Sequence, residues 1–478
     1  MNNNKITLRE GQQRALLRLF EFVSNSQKRV FILKGYAGTG KTTLIRSLID
    51  KLKKFNTPYH MVASTGRAAK IMSNITGETT DTVHGLIYKY SNFNQDIEKI
   101  VEDRAKSGVD KSGQLMLKFE ITKVHNQTDT AHIYIVDEAS MISDAPDKNP
   151  RQAVFGSGRL LNDLLEYDNK GKFVFVGDTC QLPPINQKIS PALTGTYLKD
   201  TFNINVEEAE LTEIVRQDKG NDIVLAAQKL RKLYFNPQPW KWAKFPLKGC
   251  KNIRMLSSQV ELLQLYIKDL KAHGYNASTL ICTTNRQCGI LTNIIRPALG
   301  IDKSTLTVND LLLVTQNNLI SGLMNGDLVK VTEIGDVVIR RAGLTFTMVS
   351  VMELFTKKVY SQLIITDIIY SNHINLSQEQ QKELFIDFYI RMKKEGIKQN
   401  TLEFNGRMLT DPYLNALRCV YGYAITCHKS QGGEWDNVYI DIPRNFALQP
   451  KPFVYQWMYT AMTRAKKNLF VVDDFYIM

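Results

Sequence analysis

Val30-Phe-Ile-Leu33 runs, across one lysine, into Gly35-Tyr-Ala-Gly-Thr-Gly-Lys41-Thr42, and the reading of this stretch decides the fold class. An apolar run, a glycine-rich turn and helix-forming residues, in that order, predict a buried strand, a phosphate-cradling loop and a helix. Gly35, Gly38 and Gly40 let backbone N–H groups turn inward around phosphates, with Thr39 and Thr43 completing the loop. Lys41 is predicted to pair with the β- and γ-phosphates and the Thr42 hydroxyl to hold Mg²⁺.

Working outward, Ile133-Tyr-Ile-Val136-Asp137-Glu138 is a second apolar run that ends on two adjacent carboxylates. Asp137 is expected to bind Mg²⁺ through water, and Glu138 to orient and deprotonate an attacking water. Val176-Gly-Asp178-Thr-Cys-Gln181-Leu-Pro-Pro184 follows a third run, Phe173–Val176; Gln181, able to donate to a phosphate and accept from water, is a candidate γ-phosphate sensor. Together these strings imply a nucleoside triphosphate hydrolase without saying what the energy drives.

Alternation of short apolar runs with helical stretches continues on both sides, as in parallel α/β sheets. Strands are predicted at His60–Ala63, Thr279–Cys282, Val438–Ile442 and Leu469–Val472, and helices at Gly11–Val23, Ile223–Leu233, Val260–Ala272 and Gly289–Leu299. The polar segment 92–130 interrupts the first half; its alternating run Leu115–Val124 reads as one strand of an inserted hairpin. Between Lys303 and Ser371 short strands with turns at Asn325-Gly326, Gly335-Asp336 and Ala342-Gly343 suggest a small barrel. Ser377 and Gln380 form a capping box for a helix whose stripe Leu384, Phe385, Phe388, Tyr389 and Met392 reads as core packing.

The 478 residues carry 61 Lys and Arg against 47 Asp and Glu, a net charge of +14 that suits a polyanionic partner. No apolar run reaches the ~18 residues of a membrane span. The six cysteines form no CxxC and no zinc ligand set, which points to free thiols in a reducing compartment. Trp240-Lys-Trp242-Ala-Lys244-Phe245 interleaves aromatics with charge, yet reads best as a linker anchored on the second domain.

VDEASM followed by GDTCQLPP resembles superfamily 1 helicases, in particular the RecD/Dda type of superfamily 1B, close to the Pif-type helicases. Leu8-Arg-Glu-Gly-Gln12 resembles the adenine-reading Q motif, with Gln12 at the matching position. Ala63-Ser-Thr65-Gly66-Arg67-Ala-Ala-Lys70 and Thr80-Asp-Thr-Val-His84 resemble motifs Ia and Ib, which line the single-stranded DNA path in relatives. Leu211-Thr-Glu-Ile-Val-Arg216-Gln217 resembles motif IV, and Tyr459-Thr-Ala-Met-Thr-Arg464-Ala465 resembles motif VI. Both arginines are thereby expected to reach the γ-phosphate from the second domain. Tyr423-Ala-Ile-Thr-Cys-His428-Lys429-Ser430-Gln-Gly432-Gly-Glu434 resembles motif V; His428, Lys429 and Ser430 would touch DNA, as would Asn285, and Glu434 would bind the ribose.

The resemblance implies an α/β chain with two RecA-like parallel-sheet motor domains, a hairpin insertion in the first and a small SH3-like β-barrel insertion in the second. Residues 1–202 are expected to form the first domain with a strand-splitting pin at 92–130, residues 203–302 and 405–478 the second, and 303–404 the accessory insertion. It implies an ATP-dependent, Mg²⁺-requiring helicase moving 5′–3′ on single-stranded DNA and unwinding tailed duplexes, as a cytoplasmic, nucleoid-associated monomer with no membrane contact. A single-strand-binding protein is a further candidate partner. An RNA helicase on the same motor and an ATP-gated binding module without unwinding are the alternatives. Gln12 lies too near the start for the large N-terminal domain of many RecD-type relatives, which favours the shorter Dda-type layout. Ser143–Lys172 is longer than a minimal loop and helix and leaves the subfamily open.

Overall fold

The computed structural model describes residues 8–25, 27–107, 113–124, 131–146, 153–214, 221–301, 303–371 and 373–478. The first half contains strands β1 (Val30–Gly35), β2 (Tyr59–Ala63), β3 (Thr80–Thr82), β4 (Tyr88–Phe93), β5 (Leu117–Ile121), β6 (Ile133–Asp137), β7 (Ala153–Phe155), β8 (Lys172–Gly177) and β9 (Val206–Leu211). Six of them form one parallel sheet in the order β3-β2-β6-β8-β1-β9. The central strands β1, β6 and β8 read as apolar runs because helices cover both faces. Phe31 and Leu33 enter the core beneath helices Glu10–Ser24 and Lys41–Lys54, while Val30 and Ile32 enter the core on the opposite face with Leu161 and Leu164. Strand period two divides one run between two cores.

The second half contains β10 (Ile253–Leu256), β11 (Ser278–Cys282), β12 (Leu311–Val314), β13 (Leu328–Arg341), β14 (Leu344–Glu353), β15 (Val359–Ile365), β16 (Cys419–Tyr421), β17 (Ile425–Thr426), β18 (Trp435–Asp441) and β19 (Ala465–Val472). A second parallel sheet runs β10-β19-β18-β11-β17. The chain is thus α/β with two parallel sheets, as the RecA-like expectation required. The β-rich insertion is antiparallel, β15-β14-β13-β12-β16. Its outer strands meet where Leu417 N–H donates to Leu363 O at 2.7 Å and Ile365 N–H to Leu417 O at 3.0 Å.

Four expectations are corrected. The boundary at 202 falls one strand short, because β9 pairs with β1 from Val30↔Val206 to Gly35↔Leu211. This edge strand, VEEAEL, hides its nature: its acids face basic neighbours, with Lys28 on Glu207 at 2.8 Å and Lys34 on Glu208 at 2.5 Å. The return from the insertion at 405 comes too early: Phe404, Met408, Leu414 and Ala416 pack with Phe346 and Phe385, and β16 pairs with β12. Gly335-Asp336 sits in a bulge of β13 rather than a turn, while Ala342 (φ 50°) and Gly343 (φ 70°) make the turn into β14.

The segment 92–130 differs most. β5 is present and antiparallel to a partner, β4, which starts at Tyr88; helix Ile97–Ser107 separates the two, and β7 pairs parallel on the other side. It is a three-stranded sheet rather than a simple hairpin. His125, assigned to the same run, lies outside the described residues. Phe93, Ile97, Ile100 and Leu115 share one core with Leu344, Phe385, Phe388 and Phe404. Arg104 forks onto Glu383 at 2.7 and 3.0 Å and Lys382 donates to Gly113 O at 3.2 Å. The insertion of the first half is therefore packed onto that of the second. The stripe Leu384–Met392 is buried, as expected of core.

Phe385→Ala should leave a cavity shared by both insertions, a change that typically costs about 3–5 kcal/mol. Hydrogen exchange is expected to accelerate at 88–121 as well as at 378–410. Acceleration confined to 378–410 would show that the two segments do not share a core.

Candidate nucleotide site and nucleic-acid interface

β1 delivers the loop, and Gly38 (φ 80°) and Gly40 (φ 78°) take left-handed conformations that disfavour side chains. At Gly35 a Cβ would lie 2.8 Å from Thr39 Oγ1 and 2.9 Å from Lys41 Cγ. Lys41 Nζ donates to Gly35 O at 2.6 Å and Tyr36 O at 3.3 Å. Thr42 and Thr43 open helix Lys41–Lys54. Gln12 is buried; its Nε2 donates to the carbonyls of Thr39 and Gly40, both at 3.3 Å, and its Oε1 accepts from Arg9 N–H at 3.0 Å. Its amide braces the loop and lines a cleft with Arg14, Arg18, Thr39 and Glu213.

β6 ends on Asp137, whose carboxyl burial and the adjacent Glu138 charge push up to about 7, with Lys41 pulling the other way. Glu138 holds φ 50°, a left-handed conformation uncommon for a non-glycine residue. At the end of β8, buried Asp178 accepts from Cys180 N–H at 2.9 Å and from Tyr459 Oη at 2.7 Å; burial raises its carboxyl against Lys41 and that hydrogen bond. The buried Gln181 Oε1 and Ser140 Oγ have no partner among the described residues. Orphaned acceptors, a raised acid pair and a lysine beside a phosphate loop fit a nucleotide with its cation. Among the described residues no three His, Cys, Asp or Glu converge as a metal cage. The Thr42 hydroxyl and the Asp137 carboxyl are donors of the kind that suit Mg²⁺ held by one or two protein groups plus substrate.

Helix Lys451–Met462 of the second sheet reaches into this site. Tyr459 Oη also accepts from Ala37 N–H at 3.1 Å, so one hydroxyl ties the phosphate loop to Asp178. Thr460 Oγ1 accepts from Leu182 N–H at 2.8 Å, and Gln456 Nε2 donates to Gln181 O at 3.2 Å. The Arg231 guanidinium stacks 3.6 Å from the Tyr36 ring centroid, and Tyr36 Oη donates to Glu210. Sequence reasoning gave roles to none of Tyr36, Asp178, Arg231 or Tyr459. Tyr459 stood in a quoted string, whereas Arg231 carries no motif signal. Arg464 is buried; it donates to Thr460 O at 3.0 Å and Gly433 O at 3.4 Å, within its own domain. Arg216 lies outside the described residues. Glu434 is exposed beside β18.

The strings expected to meet nucleic acid partly converge. Thr65 caps helix Gly66–Thr76, its Oγ1 accepting from Ala68 N–H at 3.2 Å. A Cβ on Gly432 would lie 3.5 Å from Thr65 Oγ1, and one on Gly66 would collide with Met324. Arg67 lies 4.4 Å over the Trp435 ring, and burial lowers it to about 10. Lys429 bonds Asn325, Lys70 pairs with Asp327, and burial brings Lys429 down to about 8 and lowers His428. Ser430 is fully buried and donates to Cys427 O at 2.7 Å, so its expected DNA contact is corrected to a local cap. His84 packs against Phe155 and Tyr88 at 5.2 and 5.7 Å, an aromatic cluster that accounts for it structurally. Asn285 is the exposed first residue of helix Asn285–Ala298. Trp242 packs on Phe475 and Phe245 N–H bonds Tyr476 O, the anchored linker expected.

Residues 7–233 match a family described as an AAA domain, and residues 421–472 match the UvrD-like helicase C-terminal domain. The chain is 22% identical to uncharacterized protein R530 of Acanthamoeba polyphaga mimivirus, covering 96% of this chain and 98% of that one. It is 23% identical to the ATP-dependent RecD2 DNA helicase of Deinococcus radiodurans over 92% of this chain, and spans 46% of that helicase's length. A crystal structure of a Pif1 helicase from Bacteroides with ADP-AlF3 and ssDNA is similar at 18% identity and TM-score 0.47, covering 99% of this chain and 94% of that one. No helix among the described residues is long and apolar enough to cross a membrane.

Asp137 provides a direct check on the electrostatics. Its carboxyl ionises near 4 when unfolded and near 7 when folded, so rising pH favours the unfolded chain between those values. Without nucleotide or Mg²⁺, Asp137→Asn should raise the melting temperature at pH 8 by several degrees, and the gain should shrink towards pH 4. An equal effect at both pH values would contradict the raised carboxyl. Tyr459→Phe should strip Asp178 and Ala37 of a partner and lower ATP turnover about tenfold, a loss of ~1.4 kcal/mol.

Proposed function

We propose that this chain is a superfamily 1B helicase of the RecD/Pif type, an ATP-driven motor that moves 5′–3′ on single-stranded DNA and unwinds tailed duplexes, a reading supported by the AAA-domain and UvrD-like helicase matches and the similarity to RecD2. One observation carries the reading: Tyr459 of the second sheet places its hydroxyl between the phosphate loop of the first and Asp178. A nucleotide there touches both halves, so its binding and loss can alter their separation.

In this reading Lys41 and the loop N–H groups hold the β- and γ-phosphates. Thr42 and Asp137 hold Mg²⁺, which when bound neutralises phosphate charge. Glu138 takes the proton of the attacking water; Gln181, its amide oxygen otherwise unpartnered, orients that water. Arg464 and Arg216 act on the γ-phosphate once the halves close, and Glu434 takes the ribose. Thr65, Gly66, Arg67, His428 and Lys429 face the strand, and Asn285 extends the track. The motor units comprise the sheet up to β9 and the sheet from β10 to β19. The insertion from about 303 to 421, with its joined outer strands, serves as an SH3-like barrel that holds the strand. The sheet β4-β5-β7 splits the duplex, steadied by its shared core with that insertion. The chain works as a monomer. The similarity to the RecD2 DNA helicase supports DNA rather than RNA as the polymer.

Glu138→Gln should keep ATP binding and lose about 10² or more in turnover, because only the base is removed. Near-normal turnover would refute the role of this carboxylate. Duplexes with a 5′ tail should be unwound and those with a 3′ tail should not. The opposite preference would overturn the direction, and no unwinding of either, with stimulated ATPase retained, would leave an ATP-gated binder.

A further inference from the structure

A cleft of about 980 Å³ opens between the second parallel sheet and the antiparallel insertion, away from the nucleotide. Five basic side chains from separate segments line it: Lys271 and His273 at the end of helix Gln259–His273, Lys303 after helix Asn285–Ala298, Lys330 on β13, and Lys357 in the turn after β14. None of the four lysines makes an ion pair among the described residues, and no acid lines the cleft among them. Neighbouring acids are turned elsewhere. Asp269 serves His273, Ser278 and Asn437; Asp310 pairs with Arg296; Glu353 accepts from the N–H groups of Phe355 and Thr356. Asp302 lies outside the described residues and is not part of the site.

A helix C-terminus attracts cations, which accounts for Lys271 and His273. It does not account for Lys330 and Lys357, which a strand and a turn bring to the same opening. Water and salt screen the repulsion among these lysines, and a bound anion relieves it further. Asn276, Thr305 and Asn309 add neutral polar groups of the kind that bond phosphate oxygens, and Tyr275 is the one ring besides His273 lining the cleft among the described residues. Lysines with amides and hydroxyls, and little stacking surface, match a sugar–phosphate backbone better than bases. The cleft also lies at the opposite end of the second sheet's strands from the motor site. Thr426 and the 427–433 segment follow the C-terminal end of β17, whereas Tyr275 and Asn276 precede the start of β11.

We propose that this cleft is a second nucleic-acid site that grips the phosphodiester backbone outside the track between the motor sheets. It rests on the helicase reading for its choice of polyanion. The site adds affinity for long or tailed substrates without entering the hydrolytic cycle, through contacts that release counterions.

The test compares wild type with the triple variants Lys303→Glu/Lys330→Glu/Lys357→Glu and the same three changed to Gln. Probes are a tailed duplex, an eight-nucleotide oligo-dT short enough for one strand site, and a fluorescent glutamate 20-mer. The Glu variant should bind the tailed duplex about tenfold or more weakly, with a salt slope shallower by about 2–3, since each phosphate contact contributes about 0.9. The Gln variant should fall between. ATPase stimulated by the short oligonucleotide should be unchanged in both, which also shows that they fold. Unaltered duplex affinity and salt slope would overturn the proposal. So would binding of the glutamate peptide with the same charge dependence while the duplex is indifferent, which would make the cleft an acidic-peptide site. A wild type whose ATPase no DNA stimulates would instead refute the helicase reading itself.

Discussion

The Tyr459 hydroxyl stands between Ala37 N–H and the Asp178 carboxylate, and the architecture of the nucleotide site depends on it. A buried carboxylate is costly unless hydrogen-bonded, and here one of its partners comes from the other half of the molecule. The backbone of the 181–182 loop is satisfied in the same way, by Thr460, Gln456 and Gln431. Several buried polar groups of the first sheet therefore find partners only with the second seated against it. This makes the separation of the halves a discrete choice, because partial withdrawal would leave several buried groups unpaired at once.

From that contact a continuous path leads to the strings proposed to meet nucleic acid. Tyr459 and Thr460 lie in the last turns of a helix followed by Arg464, and Arg464 donates to Gly433 O. A Cβ on Gly433 would lie 2.7 Å from Arg67 Cζ, and Arg67 lies over Trp435. A displacement at the phosphate loop thus has rigid neighbours at each step, all buried or nearly so. The accessory insertion closes the other side of the same junction through Met324, Asn325 and Asp327. Its aromatic core with the first insertion contributes far more than the partly exposed Arg104–Glu383 pair, since exposed ion pairs are worth at most ~1 kcal/mol.

Most of the motor was legible because its signals are local. A parallel strand covered on both faces must be apolar throughout, and a loop that wraps phosphate must be glycine-rich; VFIL, IYIV and FVFV could be read without a partner in view. What escaped depends on pairing across distance. β9 is half acidic because it is an edge whose glutamates meet Lys28, Lys34 and Tyr36, so no periodicity announces it. The stretch 405–421 belongs to the insertion through contacts with residues many positions away. His84 and Ser430 stand in strings shared with helicases, yet ring packing and a local cap account for their side chains. Arg231 stacks on the loop tyrosine from a helix with no motif at all.

The charges show the same division between local and distant causes. A net charge of +14 says only that a polyanion is welcome. The fold decides which cations are held in reserve. Arg296 and Lys34 are neutralised by acids nearby. Lys429 and Arg67 are instead desolvated at the junction of the two halves, their charged forms disfavoured by burial to about 8 and about 10. A phosphate placed beside them would oppose that shift and stabilise the charged forms. Burial that weakens a free lysine therefore strengthens its differential response to an anion, because the bound state regains what the unbound state has lost. Side chains placed in this way would discriminate between an anion bound and an anion released more sharply than a fully solvated lysine, whose charge and hydration change little between the two.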